Sequence, residues 1–160
     1  MAIASCLVDT NILLRMTRRS DPQHEVVAAA LARLAEEGTA LCYTHQNIAE
    51  LWNAMTRPAE RNGLGLSVAE AEREVLAIEA GMSPLPENEL VYREWRGIIV
   101  KHGVMGVQVH DARLAAAMYV HGVRHILTLN VADFGHSTAS RPCIRTVFKP
   151  ELGHCATERR

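Results

Sequence analysis

Aromatic residues and surplus positive charge are both scarce in this sequence. Phe, Trp and Tyr together make up 4% of its 160 residues, and the formal net charge at pH 7 is −1. So few aromatic rings leave little material for the base-stacking platforms of single-strand binders. Balanced charge also provides no general attraction to phosphate backbones. A nucleic-acid partner would therefore require either a local basic patch or a bound metal ion.

Long apolar runs and metal-type cysteine spacings are also missing. No stretch approaches the roughly 18 apolar residues of a membrane span. The N-terminal apolar run is interrupted by Asp9 and has no basic leader or cleavage site, so we expect no signal peptide and a cytoplasmic location. The cysteines lack zinc-knuckle spacing, and we expect reduced thiols in the core or on the surface. They are Cys6, Cys42, Cys143 and Cys155.

The sequence does contain a regular alternation of strand-like and helix-like segments. This pattern is typical of a parallel sheet covered by helices, and the length suits one domain. We predict a single α/β domain over residues 1–150, with a central parallel sheet of about five strands and helices on both faces. A loosely ordered tail is predicted over 151–160. The strands are predicted at residues 3–9, 39–43, 83–86, 126–129 and 144–148.

Capping residues and glycines indicate where the helices begin and end. Asp21 is predicted to be the N-cap of a helix over residues 22–37. Ser67 opens a capping-box pattern for a helix that ends at Gly81, and Thr44 is predicted to cap the helix that follows the second strand. The other helices are predicted at residues 10–18 and 87–102 and around Asp111, ending at Gly122.

Four acidic residues lie where an α/β sheet would bring them to one edge: Asp9, Glu50, Asp111 and Asp133. Asp9 ends an apolar run, and ligands of open α/β sheets bind beyond the carboxyl ends of the strands. A cluster of carboxylates is suited to a hard divalent cation. The positions of the acids therefore predict a metal site at this edge.

Three of the four acids also have a simpler explanation. Helical spacing places Glu50 away from the apolar face of its helix, on the same side as Gln46, where it would be a solvated surface residue. Asp111 would stabilise a helix N-terminus, and Asp133 would bond its own backbone in a loop. Asp9 is harder to dismiss, because an ionised carboxylate after an apolar strand is costly to desolvate without a partner cation or hydrogen bonds.

The segments around these acids, taken together, resemble the PIN-domain nucleases, and in particular the VapC-type toxins of bacterial toxin–antitoxin pairs. The matching stretches are LVDTNILLR around Asp9, NIAELWNAMTRP around Glu50, KHGVMGVQVHDARLAAAM around Asp111 and ILTLNVADF around Asn130 and Asp133. They follow the order of the family and span residues 6–148, and HDARLAAAM is the most distinctive.

The resemblance implies a compact α/β domain with a ribonuclease site that depends on Mg²⁺ or Mn²⁺. Asp9, Glu50 and Asp111 match the metal-holding catalytic acids of the family. Asn130 stands where many relatives have Asp, so we expect it to offer a neutral oxygen, while Asp133 binds the metal or positions a water. The implied reaction is attack of water on an RNA phosphodiester, which leaves 5′-phosphate and 3′-hydroxyl ends.

Residues next to these acids keep two interpretations each. Thr10 and Asn11 either orient Asp9 or a water, or Thr10 caps the helix. His110 either approaches the site or is a surface imidazole. Arg113 either contacts a substrate phosphate or forms an intrahelical or subunit salt bridge.

The resemblance also implies partners, namely an RNA substrate, a cognate antitoxin and a second copy in a homodimer, with no role for a membrane. Two alternatives stay open. One is a PIN-domain nuclease of RNA maturation or decay without an antitoxin, and the other is a catalytically silent α/β interaction module whose carboxylates only cap helices. RNA specificity would come from loop shape and scattered cations that otherwise form a solvated surface: Arg15, Arg18, Arg19, Arg57 and Arg61.

Overall fold

A parallel sheet forms the centre of the structure, a computed structural model that describes residues 3–130 and 145–146. Its strands are β1 (Ser5–Val8), β2 (Ala40–Thr44), β3 (Ser83–Leu85), β4 (His125–Leu127) and β5 (Arg145–Thr146). Four strands thus lie within residues 3–130, and the two-residue β5 is added at one edge. The order across the sheet is β3-β2-β1-β4-β5, and every pairing is parallel.

Helices connect the strands, as the alternating pattern predicts. They are α1 (Thr10–Thr17), α2 (His24–Glu36), α3 (His45–Thr56), α4 (Val68–Gly81), α5 (Glu89–His102) and α6 (Gln108–Val120), with a single 3₁₀ turn at Ala59–Arg61. A parallel sheet requires such crossover connections because each strand must return to the same end. The predicted α/β architecture is therefore confirmed.

The core lies on both sides of β1. Cys6 and Val8 pack in one cluster with side chains of α1, α2, α3 and α4. Leu7 belongs to a second cluster that contains Leu114 and Met118 of α6. Successive strand residues point to opposite faces of a sheet, so helices cover both faces. Each fully buried aliphatic side chain contributes about 1.5–3 kcal/mol.

The register of the strands brings their carboxyl ends to one edge. Val8 pairs with Leu127, and Leu7 pairs with Cys42. The N–H of Asp9 then donates to the carbonyl of Leu127 at 3.0 Å. Because β2 ends at Thr44, helices α1 and α3 both begin at this edge, which we call the carboxyl edge.

Two predicted helix caps are confirmed. The Ser67 hydroxyl and the Glu70 carboxylate form a reciprocal capping box at the start of α4, which ends at Gly81 as predicted. Thr44 caps α3, and its partner in a second capping box is Asn47. These caps satisfy backbone N–H groups that would otherwise lack partners at the helix start.

The prediction that Asp21 caps α2 is wrong. The helix begins three residues later than Asp21, at His24, and its N-cap residue Gln23 makes no side-chain cap bond. The Asp21 carboxylate instead accepts from the Gln23 N–H at 2.9 Å, and it lies 3.9 Å from Nε of Arg15. A local turn and an ion pair therefore take up the carboxylate before the helix starts.

Cys6 and Cys42 are free and buried, as their apolar surroundings predict. Burial raises the pKa of the Cys6 thiol to about 12, so the thiol stays protonated at neutral pH. Cys143, Cys155, Asp133 and the predicted tail at 151–160 lie outside the described residues. Among the described helices, none is both long and apolar enough to cross a membrane.

Candidate metal-binding site

Three of the four predicted acids lie on elements that meet at the carboxyl edge. Asp9 directly follows β1, Glu50 lies on α3, and Asp111 lies in the first turn of α6. Asp9 is 9% exposed, whereas the Glu50 side chain is 39% exposed. Asp133, the fourth acid, lies outside the described residues.

Asp9 is held by donors from two sides of the sheet edge. Its Oδ1 accepts from the Thr10 N–H at 2.7 Å, which makes Asp9 the N-cap of α1. Its Oδ2 accepts from Asn11 Nδ2 at 2.7 Å and from Thr128 Oγ1 at 2.6 Å. These bonds offset part of the cost of burying the charge. Asn11 thus orients Asp9, as one of its two interpretations predicts, while Asp9 takes the cap role considered for Thr10.

Asn11 also ties α1 to the segment after β4. Its Oδ1 accepts from the Leu129 N–H at 3.1 Å, and its Nδ2 also donates to Thr128 Oγ1 at 3.0 Å. Thr128 is fully buried and further accepts from the Asn130 N–H at 3.1 Å. The backbone N–H of the exposed Asn130 therefore lies close to the hydroxyl that holds Asp9.

Thr10 connects Asp9 with Glu50. While its N–H binds Asp9, its hydroxyl donates to Glu50 Oε2 at 2.8 Å and accepts from Asn47 Nδ2 at 3.1 Å. Asn47 is fully buried and is fixed in turn by Thr44. Glu50 is therefore part of an ordered network and not a freely solvated surface glutamate.

Gln46 connects Glu50 with the first turn of α6. Its Nε2 donates to Glu50 Oε1 at 2.8 Å and to the carbonyl of His110 at 3.2 Å. The next residue after His110 is Asp111, so this link ties α3 to the backbone next to the third acid. The His110 imidazole is 60% exposed, with Nδ1 4.0 Å from Glu50 Oε1. His110 is thus a surface residue at the rim of the site.

Arg113 forms a salt bridge with Glu87, which precedes α5. The pair lines a pocket of about 300 Å³ together with Asn88, Tyr92 and Trp95. The salt bridge joins two elements of one chain, so it is neither intrahelical nor between subunits. The guanidinium is thereby held toward α5.

The donor atoms at the carboxyl edge suit a hard cation in kind. Carboxylate oxygens are the ligands that Mg²⁺ prefers, and a buried amide oxygen, Oε1 of Gln46, lacks a hydrogen-bond partner among the described residues. Within residues 3–130, however, no three His, Cys, Asp or Glu side chains form a group that could hold a metal ion. The hydrogen bonds above link Asp9 and Glu50 through Thr10 without gathering three such side chains in this range.

Sequence reasoning missed Thr128, Asn47 and the burial of Gln46. Thr128 is the single polar residue in ILTL at the end of β4, a weak signal of a role at the strand end. Helical spacing places Gln46 beside Glu50, on the side away from the apolar face, yet Gln46 is only 7% exposed. Its amide bonds the carbonyl of His110 at the start of α6.

Comparison with known families and structures agrees with this architecture. The sequence matches the PIN domain family over residues 6–134. No curated protein matches it.

Three solved structures share the fold at low sequence identity. Mycobacterium tuberculosis VapC20, a sarcin–ricin loop cleaving toxin, has 14% identity and a TM-score of 0.54, with 76% of this chain and 86% of that chain covered. VapBC2 from Rickettsia felis, bound to a promoter DNA fragment, has 12% identity, a TM-score of 0.58 and coverage of 79% and 89%. FitAcB from Neisseria gonorrhoeae has 20% identity, a TM-score of 0.55 and coverage of 88% and 95%.

These likenesses establish the fold, and the family match extends over most of the sequence, including the segments around Asp9, Glu50 and Asp111. The resemblance predicted from those segments is therefore confirmed. The chain belongs to the PIN domain family.

Proposed function

We propose that the protein is a metal-dependent endoribonuclease that hydrolyses RNA phosphodiesters, and that it is the toxin of a VapBC-type toxin–antitoxin pair. The observation that carries the proposal is the network at the carboxyl edge. In it Thr10 joins Asp9 to Glu50, and Gln46 joins Glu50 to the turn that contains Asp111. Helix caps alone would not require these links between three separate elements.

Asp9, Glu50 and Asp111 would hold Mg²⁺ or Mn²⁺, with Asn130 and Asp133 as further oxygen ligands. The bound cation supplies charge stabilisation at the phosphate and a more acidic water. Three hydrogen-bond donors hold the Asp9 carboxylate in place at the carboxyl edge. The Glu50 side chain is 39% exposed whereas Asp9 is buried, so Glu50 is the more accessible of these two carboxylates to RNA.

The proposed substrate and partner rest on the fold neighbours. VapC20 is a toxin that cleaves the sarcin–ricin loop, and VapBC2 was solved bound to a fragment of its promoter DNA. For the present chain we propose cytoplasmic RNA as the substrate, a cognate antitoxin as the inhibitor and a homodimer as the assembly. A cationic antitoxin side chain would be attracted to the carboxyl edge because it offsets repulsion among the acids.

A catalytically silent interaction module is the second candidate. It is favoured by the lack of a three-ligand group among residues 3–130 and by the neutral Asn130. Cleavage of RNA that requires a divalent cation separates the two candidates, because a module has no turnover to lose. A PIN-domain nuclease without an antitoxin would share the cleavage but not the partner.

The decisive experiment compares Glu50→Gln with Glu72→Gln. The first change removes a charge from the carboxyl edge, while Thr10 and Gln46 can still bond the new amide because the Thr10 hydroxyl rotates. We expect loss of Mg²⁺-dependent RNA cleavage on the order of 100-fold or more, since the metal supplies several kcal/mol in the transition state. Glu72 is exposed on α4, so the same chemical change there should leave cleavage intact.

Circular dichroism and thermal melting in EDTA control for folding of both variants. Wild-type rates in the Glu50→Gln protein, with contaminating nuclease excluded by a second purification, would contradict the assignment of the site. No cleavage by the wild-type protein with Mg²⁺ or Mn²⁺ would favour the silent module.

A further inference from the structure

Gln46 is a buried amide that lies one helical turn before Glu50. Its side chain is only 7% exposed, although helical spacing alone places it on the side of α3 away from the core. Its Nε2 donates to Glu50 Oε1 and to the His110 carbonyl, at 2.8 and 3.2 Å. One N–H of the amide therefore bonds within α3, and the other joins α3 to the start of α6.

The oxygen of this amide lacks a hydrogen-bond donor in the described part of the chain. Oε1 of Gln46 is buried and has no hydrogen-bond partner among the described residues. Exchanging the amide oxygen and nitrogen does not remove the problem. The exchanged orientation would place the Gln46 oxygen against Glu50 Oε1 and the His110 carbonyl oxygen. Buried acceptors are seldom left without a donor. The two hydrogen bonds of Nε2 therefore fix the orientation of the amide, even though Oε1 stays without a donor from the described residues.

We propose that Gln46 is a positioning residue for the nuclease site. One N–H of its amide holds the Glu50 carboxylate, and the other ties the same side chain to the first turn of α6. Mg²⁺ is usually bound through only one or two carboxylates, so the position of Glu50 affects how well the site would hold the ion. This inference rests on the proposed function, and it adds a residue whose side chain carries no charge.

The first test measures Mn²⁺ affinity in metal-free protein by isothermal titration. Gln46→Met keeps the length of the side chain and removes both hydrogen bonds of Nε2. We expect a 10–100-fold weaker affinity, the usual effect of losing a partner of a metal ligand. Asn53→Ala is the matched control, because Asn53 lies on the exposed side of the same helix, and its affinity should equal that of the wild type.

Steady-state cleavage of a short RNA adds a second readout. For Gln46→Met we expect kcat to fall by a factor similar to the loss of Mn²⁺ affinity at fixed Mg²⁺. The KM for RNA should stay nearly constant, because the buried side chain offers little surface to RNA. An increase in KM alone would overturn the positioning role.

An NMR measurement on the wild-type protein covers the case in which Gln46→Met does not fold. Substoichiometric Mn²⁺ should broaden the side-chain amide signals of Gln46 much more than those of Asn53. Equal broadening, or none at Gln46, would overturn the inference.

The outcomes separate this inference from the proposed function. A wild-type protein that binds Mn²⁺ and cleaves RNA, with Gln46→Met unchanged in both, would remove Gln46 from the site and leave the function standing. A wild-type protein that neither binds Mn²⁺ nor cleaves RNA would overturn both.

Discussion

Thr10 is the residue on which the carboxyl edge most depends. It contributes three contacts with three different partners: its N–H binds Asp9, its hydroxyl donates to Glu50, and the same hydroxyl accepts from Asn47. Asn47 is fully buried, so it cannot replace a lost acceptor with solvent. The hydroxyl of Thr10 therefore affects both stability and the position of Glu50.

The first prediction at this scale concerns Thr10→Val, which keeps the shape of the side chain and removes the hydroxyl. We expect the free energy of unfolding in EDTA to fall by about 1–3 kcal/mol, because Asn47 Nδ2 is left buried without an acceptor. Cleavage of RNA should fall by roughly 10-fold through the loss of Glu50 orientation. Urea unfolding and initial rates provide the two measurements.

Thr10→Ser is the control for this prediction, since it restores the hydroxyl without the methyl group. It should recover most of the activity and the stability. If Thr10→Ser and Thr10→Val lose equal activity, the methyl group matters and the hydrogen bonds do not.

At the scale of elements, α3 has a central place because it carries Gln46, Asn47 and Glu50. The helix starts directly at the end of β2, where Thr44 caps it. Leu51 and Met55 of α3 are fully buried in a cluster that also contains Ala71 and Val75 of α4. Helix α4 therefore packs in the same core cluster as α3. The N-terminal cap of α4 then affects the stability of the helix that carries Glu50.

The prediction at this scale concerns the capping box of α4 and its pH dependence. The Ser67 hydroxyl donates to Glu70 Oε2 at 2.7 Å and the Ser67 N–H donates at 2.8 Å, and these bonds lower the pKa of Glu70 from its usual 4.5. Because the folded pKa lies below the unfolded one, the carboxylate stabilises the fold above pH 4.5. This contribution is lost as the pH falls through the folded pKa.

We therefore expect Glu70→Gln to melt at a lower temperature than the wild type at pH 7, with a difference that shrinks as the pH falls below 4.5. Melting curves by circular dichroism across this pH range provide the measurement. Glu72→Gln on the exposed side of α4 is the control and should track the wild type. A difference that is constant from pH 7 into acid would show that the charge of Glu70 does not contribute.

At the scale of the whole molecule, the carboxyl edge stands in a chain of nearly balanced charge. With a net charge of −1, the protein as a whole neither attracts nor strongly repels RNA. Under the proposed function, local acidity at the carboxyl edge is then the feature that a cation or a basic partner would recognise. This leads to an expectation for the living cell as well as for the purified protein.

The prediction for the cell follows from the proposed toxin role. Expression of the protein alone should arrest bacterial growth, because an unrestrained ribonuclease depletes essential RNA. Co-expression of the neighbouring small gene should relieve the arrest and yield a complex that copurifies. Culture density after induction and affinity purification with a tag on one partner provide the measurements.

Glu50→Gln serves as the control, since it should accumulate without arrest while still binding the partner. If the wild-type chain accumulates harmlessly without its neighbour, yet cleaves RNA in vitro, the nuclease without an antitoxin replaces the toxin. Arrest by Glu50→Gln equal to that of the wild type would show that the arrest does not arise from cleavage.

Local chemistry of the sequence determined the elements and the main acids. The caps Thr44 and Ser67 depend on residues within three positions along the chain, so they were predictable from sequence alone. Asp9 was predictable for the same reason, because an apolar run that ends in a carboxylate marks the end of a strand. The failure at Asp21 also has a local cause, since a turn and Arg15 compete with the helix for one carboxylate.

Only the tertiary structure decided which distant residues hold these acids. Thr128 reaches Asp9 because β1 and β4 pair in one register, although 119 positions separate the two residues. Gln46 bonds the carbonyl of His110 at the start of α6, although 64 positions separate the two residues along the chain. Helical and strand periodicity describe one element at a time, whereas the order of strands and the packing of helices depend on the burial of the whole chain.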